Sequence, residues 1–165
     1  MSAYETRLLG YAARIAGDPT AAEDIVQETF IRLVANWRGP LEPGPSLSSW
    51  LYRVAHNCSV DHVRRESRIN TLREKHAEGQ ELTSGPEPPE QESLSGDALR
   101  AVEALRVLRD RERQLVVLKV MEEKSYREIA EITGLSTGNV GYILHHAMKK
   151  LTAAMGRTGT DHEDE

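Results

Sequence analysis

Apolar and polar positions between residues 125 and 151 repeat with the period of two short helices separated by a tight turn. Ser125 stands three residues before Glu128, which is the spacing of a capping box at a helix start. Gly134 offers the positive φ that a short turn needs, and Ser136 can cap the next helix. That helix has an inward face made of Val140, Ile143, Leu144, Ala147 and Leu151. The pattern predicts a helix-turn-helix, a unit that inserts its second helix into the DNA major groove.

Helical spacing also predicts three helices at the start of the chain. One lies within residues 4–16, and Thr20 with Glu23 predicts a capping box that begins a second helix reaching residue 37. Residues 38–48 contain three prolines and two glycines, which predicts a loop. A third helix is predicted over residues 50–68. The inward face of the second helix is predicted to hold Ala22, Ile25, Val26, Phe30, Leu33 and Val34.

The net charge of −5 is distributed unevenly along the chain, and this distribution bears on the kind of partner that the chain can bind. Residues 49–75 carry six Lys and Arg against three acids, and residues 98–155 carry ten against seven, so each block is +3. Residues 76–97 hold six acids and no Lys or Arg, and the tail 156–165 is −3. Two basic blocks separated by an acidic spacer are compatible with nucleic-acid binding, which the total charge hides.

Composition and spacing together predict an all-α protein of two small helical domains, residues 1–69 and 98–155, of which the second contains the helix-turn-helix. Glu, Pro, Ser and Gly dominate residues 70–97, which predicts a flexible acidic linker, and residues 156–165 are predicted to be a disordered acidic tail. The single cysteine, Cys58, fits a reducing cytosol. No apolar run approaches the roughly 20 residues of a membrane span, and no signal peptide is expected at the N-terminus.

Three motifs in this order resemble bacterial RNA polymerase sigma factors, and most closely their small extracytoplasmic-function (ECF) group. The motifs are AAEDIVQETFIRL at 21–33, WLYRVAHNCSVDHVRR at 50–65 and SYREIAEITGLSTGNV at 125–140. The resemblance covers about residues 4–68 and 98–152. It implies a cytoplasmic alternative sigma factor that directs core polymerase to promoters, recognises −10 and −35 elements and melts the −10 region. It implies no catalytic residue, cofactor or metal.

The resemblance also implies binding residues. The β′ clamp helices of core polymerase would contact Asp24, Gln27, Glu28 and Ile31, although periodicity alone favours a solvated helix face. The −10 element would contact Trp37, Arg38, Arg53, Asn57, Arg64, Arg65 and Arg68. The −35 element would contact Ser136, Thr137, Asn139, Tyr142, His145, His146 and Lys149. The other face of the C-terminal domain would meet the polymerase β flap, and an anti-sigma factor is a further expected partner.

Three features depart from the family pattern. The chain starts almost at the segment that usually follows an additional helix, and the −10 loop is long and rich in proline. The recognition helix is poor in charge, because Gly141, Ile143 and His146 stand where basic residues are common. Since phosphate neutralisation supplies much of protein–DNA affinity, we expect weak −35 binding with a shallow salt dependence.

The sequence is also compatible with other functions. His56, Cys58 and His62 could suggest zinc, but His56 lies nearly opposite Cys58 on a helix, which favours a core cysteine instead. His145 and His146 are either ordinary polar surface residues or a source of pH-dependent DNA contact. An enzyme is disfavoured because no glycine-rich phosphate loop or nucleophile–base set is evident. The alternatives are a stand-alone helix-turn-helix regulator and a sigma-like protein that binds polymerase or another sigma factor without initiating.

Overall fold

The computed structural model describes residues 2–77, 96 and 104–157, and the regular secondary structure of these residues is helical throughout. The N-terminal half consists of α1 (Ser2–Ala16), α2 (Pro19–Asn36) and α3 (Pro45–Ala77). The C-terminal half consists of α4 (Asp110–Val116), a π-helical turn (Val117–Met121), α5 (Tyr126–Thr133) and α6 (Thr137–Arg157). The predicted all-α class with a C-terminal helix-turn-helix is confirmed. Most of the predicted linker and the predicted disordered tail lie outside the described residues.

The N-terminal half is a three-helix unit built around large side chains from α1 and α3. Leu8 and Tyr11 of α1 are completely buried, as is Leu51 of α3, and Leu33 of α2 closes the same core. The rings of Tyr11 and Tyr52 meet edge to face with their centroids 5.6 Å apart. Burial of such side chains contributes about 1.5–3 kcal/mol each, so packing holds these helices together.

Helix α2 starts differently from the sequence prediction. Its N-cap is Asp18, whose carboxylate accepts hydrogen bonds from the amides of Thr20 (3.1 Å) and Ala21 (3.3 Å). Pro19 occupies the first turn, where its missing N–H is no loss. The capping box predicted from Thr20 and Glu23 is therefore wrong, because Asp18 followed by proline is the stronger start signal.

Helix α3 is longer at both ends than the sequence predicted. It begins at Pro45 because proline is suited to a first helical turn, so the preceding loop ends at Gly44. It continues to residue 77, which makes the first eight residues of the predicted linker, 70–77, helical. Apart from Leu72, this extension is polar, and it is exposed up to residue 76, so it lacks the apolar periodicity on which the boundary at Arg68 was based.

The helix-turn-helix forms as its local signals indicate. Ser125 Oγ accepts from the Glu128 amide at 3.1 Å while the Glu128 carboxylate accepts from the Ser125 amide at 2.7 Å, a complete capping box. Gly134 ends α5 with φ 76°, and Ser136 Oγ accepts from the Asn139 amide at the start of α6. The core between these helices contains Leu115, Leu118, Ile129, Ile132, Val140, Leu144 and Ala147.

The two halves lie against each other, and their buried apolar residues form one continuous cluster. Helix α3 packs on α5, and α1 contacts α4 and the π-helical turn. The interface also includes buried polar groups. His56 of α3 is buried beside Arg111 of the C-terminal half, and its Nδ1 is 2.8 Å from the Tyr11 hydroxyl.

Stability is expected to fall as the pH drops below 6.5, because burial, helped by Arg111, lowers the pKa of His56 from 6.5 to about 4. The unfolded chain binds a proton at this residue between pH 6.5 and 4 and the folded chain does not. The contribution of His56 is thus complete above pH 6.5 and decreases by about 3 kcal/mol by pH 4. Urea unfolding at pH 7.5 and 5 would show this slope shrinking in His56→Gln and persisting in His145→Gln, whose histidine is exposed.

Candidate nucleic-acid and polymerase interfaces

The predicted polymerase-binding residues form a row along α2. Asp24, Gln27 and Ile31 are exposed, and Ile31 is 61% accessible despite being apolar. Glu28 belongs to the same row, but its carboxylate is 2.7 Å from Nε of Arg32 one turn later. The row, hereafter the α2 ridge (Asp24, Gln27, Glu28 and Ile31), therefore offers carboxylate, amide and aliphatic groups to a partner.

A groove of about 870 Å³ runs beside the α2 ridge between α1 and α2. Its apolar lining includes Leu9, Phe30 and Val34, and it shares Gln27 and Ile31 with the ridge. Val34 was predicted to face inward, but 84% of its surface is accessible, because Phe30 and Leu33 already fill the inward positions of that turn. An exposed isoleucine and valine at the edge of one groove mark a surface suited to another protein.

Two tryptophans meet at the start of α3. The ring centroids of Trp37 and Trp50 are 5.7 Å apart, and Trp37 Nε1 donates to the carbonyl of Pro40 at 3.2 Å. Gly39 lies directly against the Trp37 ring, since a β-carbon at this position would stand 2.6 Å from the ring. The absence of a side chain at Gly39 therefore leaves room for the Trp37 ring.

The remaining predicted −10 residues are exposed and spaced along α3. They are Arg53, Asn57, Arg64, Arg65 and Arg68, while Arg38 is exposed in the preceding loop and donates to the Trp37 carbonyl at 3.2 Å. The structure brings Arg53 together with both tryptophans in one cleft, and Asn57 together with Arg64 in another. Arg65 and Arg68 line neither cleft among the described surfaces.

The predicted −35 residues lie on the exposed side of the second helix of the helix-turn-helix. Ser136, Thr137, Asn139, Tyr142, His145, His146 and Lys149 are all exposed, and the rings of Tyr142 and His146 are 4.4 Å apart. Lys150 instead points to Glu112, with Nζ 2.7 Å from its Oε1. Burial opposes ionisation of Glu112, but hydrogen bonds from Lys150 and the Arg109 amide hold its pKa below the usual value. Lys149 is thus the lysine of residues 137–150 that is exposed.

Both clefts have their other wall in the C-terminal half. Glu128 and Glu131 of α5 face Trp37, Trp50 and Arg53 across a cleft of about 410 Å³. The Ser125 amide, followed by its hydroxyl, lowers the pKa of Glu128 against burial, so this wall carries negative charge. The second cleft, of about 370 Å³, has Arg111, Gln114, Leu115, Thr133 and Leu135 opposite Asn57 and Arg64.

Sequence reasoning missed the polar residues that join the halves. Glu122 and Lys124 are buried against Tyr52 and Ser48 of α3. In the sequence they stand in a short polar turn between helices, a pattern that ordinarily indicates solvent exposure. Only their partners in three dimensions, which lie 70 and 76 positions away in the sequence, reveal their role.

Two negative findings apply to residues 2–77 and 104–157. Among them no cluster of three or more His, Cys, Asp or Glu side chains could hold a metal ion. Cys58 is buried in the core, and this burial raises the pKa of its thiol. No helix in this part of the chain is both long and apolar enough to cross a bilayer.

Comparison with known proteins assigns the family. The profile of Sigma-70 region 2 matches residues 1–69, and that of Sigma-70, region 4 matches residues 98–151. The chain is 28% identical to the RNA polymerase sigma factor YlaC of Bacillus subtilis over 94% of its own length and 89% of the relative. It is 30% identical to the ECF RNA polymerase sigma factor SigL of Mycobacterium tuberculosis, over 90% and 82% of the two chains.

The fold resembles the sigma factor RpoE of Bartonella quintana in its complex with the anti-sigma factor NepR. The TM-score is 0.68 at 23% identity, covering 93% of this chain and 92% of the other. Two family regions in sequence order, and relatives that match over most of their length, agree with the three motifs. The chain belongs to the ECF group of RNA polymerase sigma factors, which direct RNA polymerase to promoters.

Proposed function

We propose that this sigma factor divides its work among three surfaces: the α2 ridge binds core polymerase, residues 37–68 open the −10 element, and residues 136–150 contact the −35 element. It acts by binding alone, without catalytic chemistry, in the cytoplasm where polymerase works. The observation that carries the proposal is the row of exposed arginines on α3 beginning beside an aromatic pair. Cations beside stacking surfaces are what an unpaired DNA strand requires.

For core polymerase, the proposed contact is with the β′ clamp helices. The groove beside the ridge is apolar at Phe30 and Val34 and polar at Glu23 and Gln27. A partner helix with an apolar stripe and flanking hydrogen-bond donors fits such a groove. Exposed Val107 and Val120 of the C-terminal half are available for the proposed contact with the β flap.

At the −10 element, Trp37 and Trp50 provide ring faces for an unpaired base, and Arg53 lies in the same cleft. Base–aromatic stacking is worth about 1–3 kcal/mol per base. Asn57 supplies both a donor and an acceptor for a flipped base. Arg64, Arg65 and Arg68 would neutralise DNA phosphates further along α3. Such contacts fix the position of the protein on the DNA but do not distinguish one base sequence from another.

Gly39→Ala is expected to weaken −10 opening by displacing Trp37, because the new methyl would stand 2.6 Å from its ring. The loss of one stacking surface corresponds to roughly 5- to 100-fold in open-complex formation. Permanganate footprinting of the holoenzyme on a promoter measures the extent of −10 opening. Gly44→Ala is the matched control, since its β-carbon meets only the Glu42 carbonyl at 3.9 Å. Equal effects of the two changes would contradict the assignment of Trp37.

The test of the whole proposal is transcription in vitro with purified core polymerase and genomic DNA, with mapping of transcript 5′ ends. Defined starts that depend on the chain support the proposal and yield the promoter sequence. Core binding without transcripts would favour the non-initiating alternative, to which the charge-poor recognition helix lends some support. DNA binding without core-dependent initiation would favour a stand-alone regulator.

An anti-sigma factor is also proposed as a partner. Its support is that the similar RpoE structure is a complex with the anti-sigma factor NepR. Such a protein would have to cover the α2 ridge or the exposed side of α6 to block polymerase or DNA.

A further inference from the structure

Helix α3 ends in an exposed stretch that contributes nothing to the core. Residues 69–76 are all exposed, although they belong to the same unbroken helix that begins at Pro45. Two of these exposed side chains are apolar, since Ile69 is 40% and Leu72 is 56% accessible. Most helical stability in proteins comes from packing of a buried face, which this end of α3 lacks. Its surface is therefore open to a partner.

Positive and negative charges lie on different sides of this end of α3. At 3.6 residues per turn, every Lys and Arg between residues 64 and 75 lies on about one half of the helix circumference. Both acids of the same stretch, Glu66 and Glu74, lie on the other half. The basic half is hereafter the α3 basic face, and it consists of Arg64, Arg65, Arg68, Arg73 and Lys75.

The cations of the α3 basic face are not neutralised by nearby carboxylates. None of the five forms an ion pair within residues 2–77 and 104–157, whereas Arg32 and Lys150 each hold a glutamate. Arg65 donates from Nε to the backbone carbonyl of Asp61 at 3.4 Å, which leaves its charge uncompensated. A row of such cations attracts an anionic polymer.

The α3 basic face continues the proposed −10 surface along the helix. Arg53 and Asn57 lie on the same side of α3 as Arg64 and Lys75. The distance along the helix axis from Arg53 to Lys75 is about 33 Å at 1.5 Å per residue. This length corresponds to about ten base pairs at 3.4 Å each. The row is therefore long enough to follow DNA from the cleft at Trp50 to a neighbouring stretch.

The direction of the chain indicates which stretch of DNA this would be. In the proposed function the unpaired bases lie at Trp37 and Trp50, so DNA further along α3 is still a duplex. After α3 the chain continues to the half that is proposed to bind the −35 element, and this element lies upstream of the −10 element. The end of α3 would thus meet the base pairs between the two elements, hereafter the spacer duplex.

We propose that Arg73 and Lys75 bind phosphates of the spacer duplex, beyond the −10 contacts of Arg64, Arg65 and Arg68. The inference rests on the proposed −10 surface. It places positive charge on the promoter where the recognition helix supplies little, because Lys149 is the exposed lysine of residues 137–150. Phosphate contacts position a protein without reading bases, so this contact does not depend on the sequence of the spacer duplex.

The experiment measures binding of the holoenzyme to two fork-junction DNAs from a mapped promoter by fluorescence anisotropy. Both carry the −10 element with its unpaired strand and lack the −35 element, and only the long fork adds about ten base pairs of spacer duplex. Arg73→Gln with Lys75→Gln should weaken binding to the long fork about tenfold at roughly 0.1 M salt. The slope of log affinity against log salt should become shallower by nearly 1.8, since each phosphate contact contributes about 0.9. Binding to the short fork should not change.

Ser67→Glu with Asn70→Glu is the matched control, because it makes the same −2 change at exposed positions on the other half of the helix circumference. A loss that is confined to the Arg73 and Lys75 pair and to the long fork supports the inference. Equal losses in both pairs, equal losses on both forks, or no loss at all would overturn it. Weaker binding of the Arg73 and Lys75 pair to core polymerase without DNA would also overturn it, because the face would then belong to a protein contact.

Circular dichroism shows whether both pairs keep the helix content of the wild type, so that a loss of affinity reports on the surface. The wild type on the short fork tests the proposed −10 surface separately. Failure to bind the short fork would contradict the proposed function, whereas failure of the spacer contact would leave short-fork binding intact.

Discussion

Replacing Asp24 and Gln27 together with arginine is expected to abolish stable association with core polymerase. Both side chains are exposed, so the change alters the surface and leaves the core intact. A partner that meets a carboxylate and an amide oxygen presents hydrogen-bond donors, and arginines would face those donors with like charge. Charge reversal at close pairs typically costs 3 kcal/mol or more, about 100-fold in affinity.

The measurement is co-sedimentation or fluorescence titration of the variant with purified core polymerase without DNA. Glu74→Arg with Thr71→Arg is the matched control, because it makes the same +3 change at two exposed positions near the end of α3. Ile31→Glu should give a similar loss by placing a charge against the apolar groove, where Ile31 is part of the lining. If the ridge variant bound core as tightly as the control, the polymerase surface would have to lie elsewhere.

The helix-turn-helix could be predicted residue by residue because its signals are local. The Ser125–Glu128 capping box, the positive φ of Gly134 and the Ser136 cap each depend on fewer than five consecutive residues. The predicted helix boundaries were wrong where two local signals competed. Asp18 with Pro19 outweighed Thr20 with Glu23 at the start of α2, and Pro45 began α3 within a segment whose prolines suggested only a loop.

The polar end of α3 shows a second reason why a predicted helix boundary was wrong. Residues 69–76 are exposed, so no buried face imposes apolar periodicity and the sequence there resembles a linker. Placement of the candidate site residues of α2, α3 and α6 on exposed helix faces followed from helical spacing. Their relation to the other half did not, because Glu122 and Lys124 are recognisable as interface residues only through Tyr52 and Ser48, which are distant in sequence.

The same division between local and long-range information applies to the recognition helix. The sequence showed that Gly141 and His146 stand where cations are common. The structure adds that Lys150, the second lysine at the end of this segment, is bound to Glu112 of the same half. The expected −35 affinity is therefore lower than the number of lysines suggests.

Gly141→Arg combined with His146→Arg is expected to raise −35 affinity about tenfold at roughly 0.1 M salt and to steepen its salt dependence. Each added phosphate contact contributes about −0.9 to the slope of log affinity against log salt, so the pair should add nearly −1.8. Both sites tolerate the change: a β-carbon at Gly141 lies 3.4 Å from the Tyr126 ring, an ordinary contact, and His146 is exposed. Removing the helical glycine also favours the helix by up to about 1 kcal/mol.

Fluorescence anisotropy of the full chain with duplexes taken from mapped promoters, over a range of salt concentrations, measures both quantities. Thr152→Arg with Ala153→Arg adds the same charge beyond the predicted contact residues and separates groove contact from general attraction. Because the side of α6 that carries these residues is exposed while the halves lie against each other, this gain does not require the halves to separate. An equal gain in the control pair, or a steep salt slope already present in the wild type, would show that the low charge of this helix does not limit −35 binding.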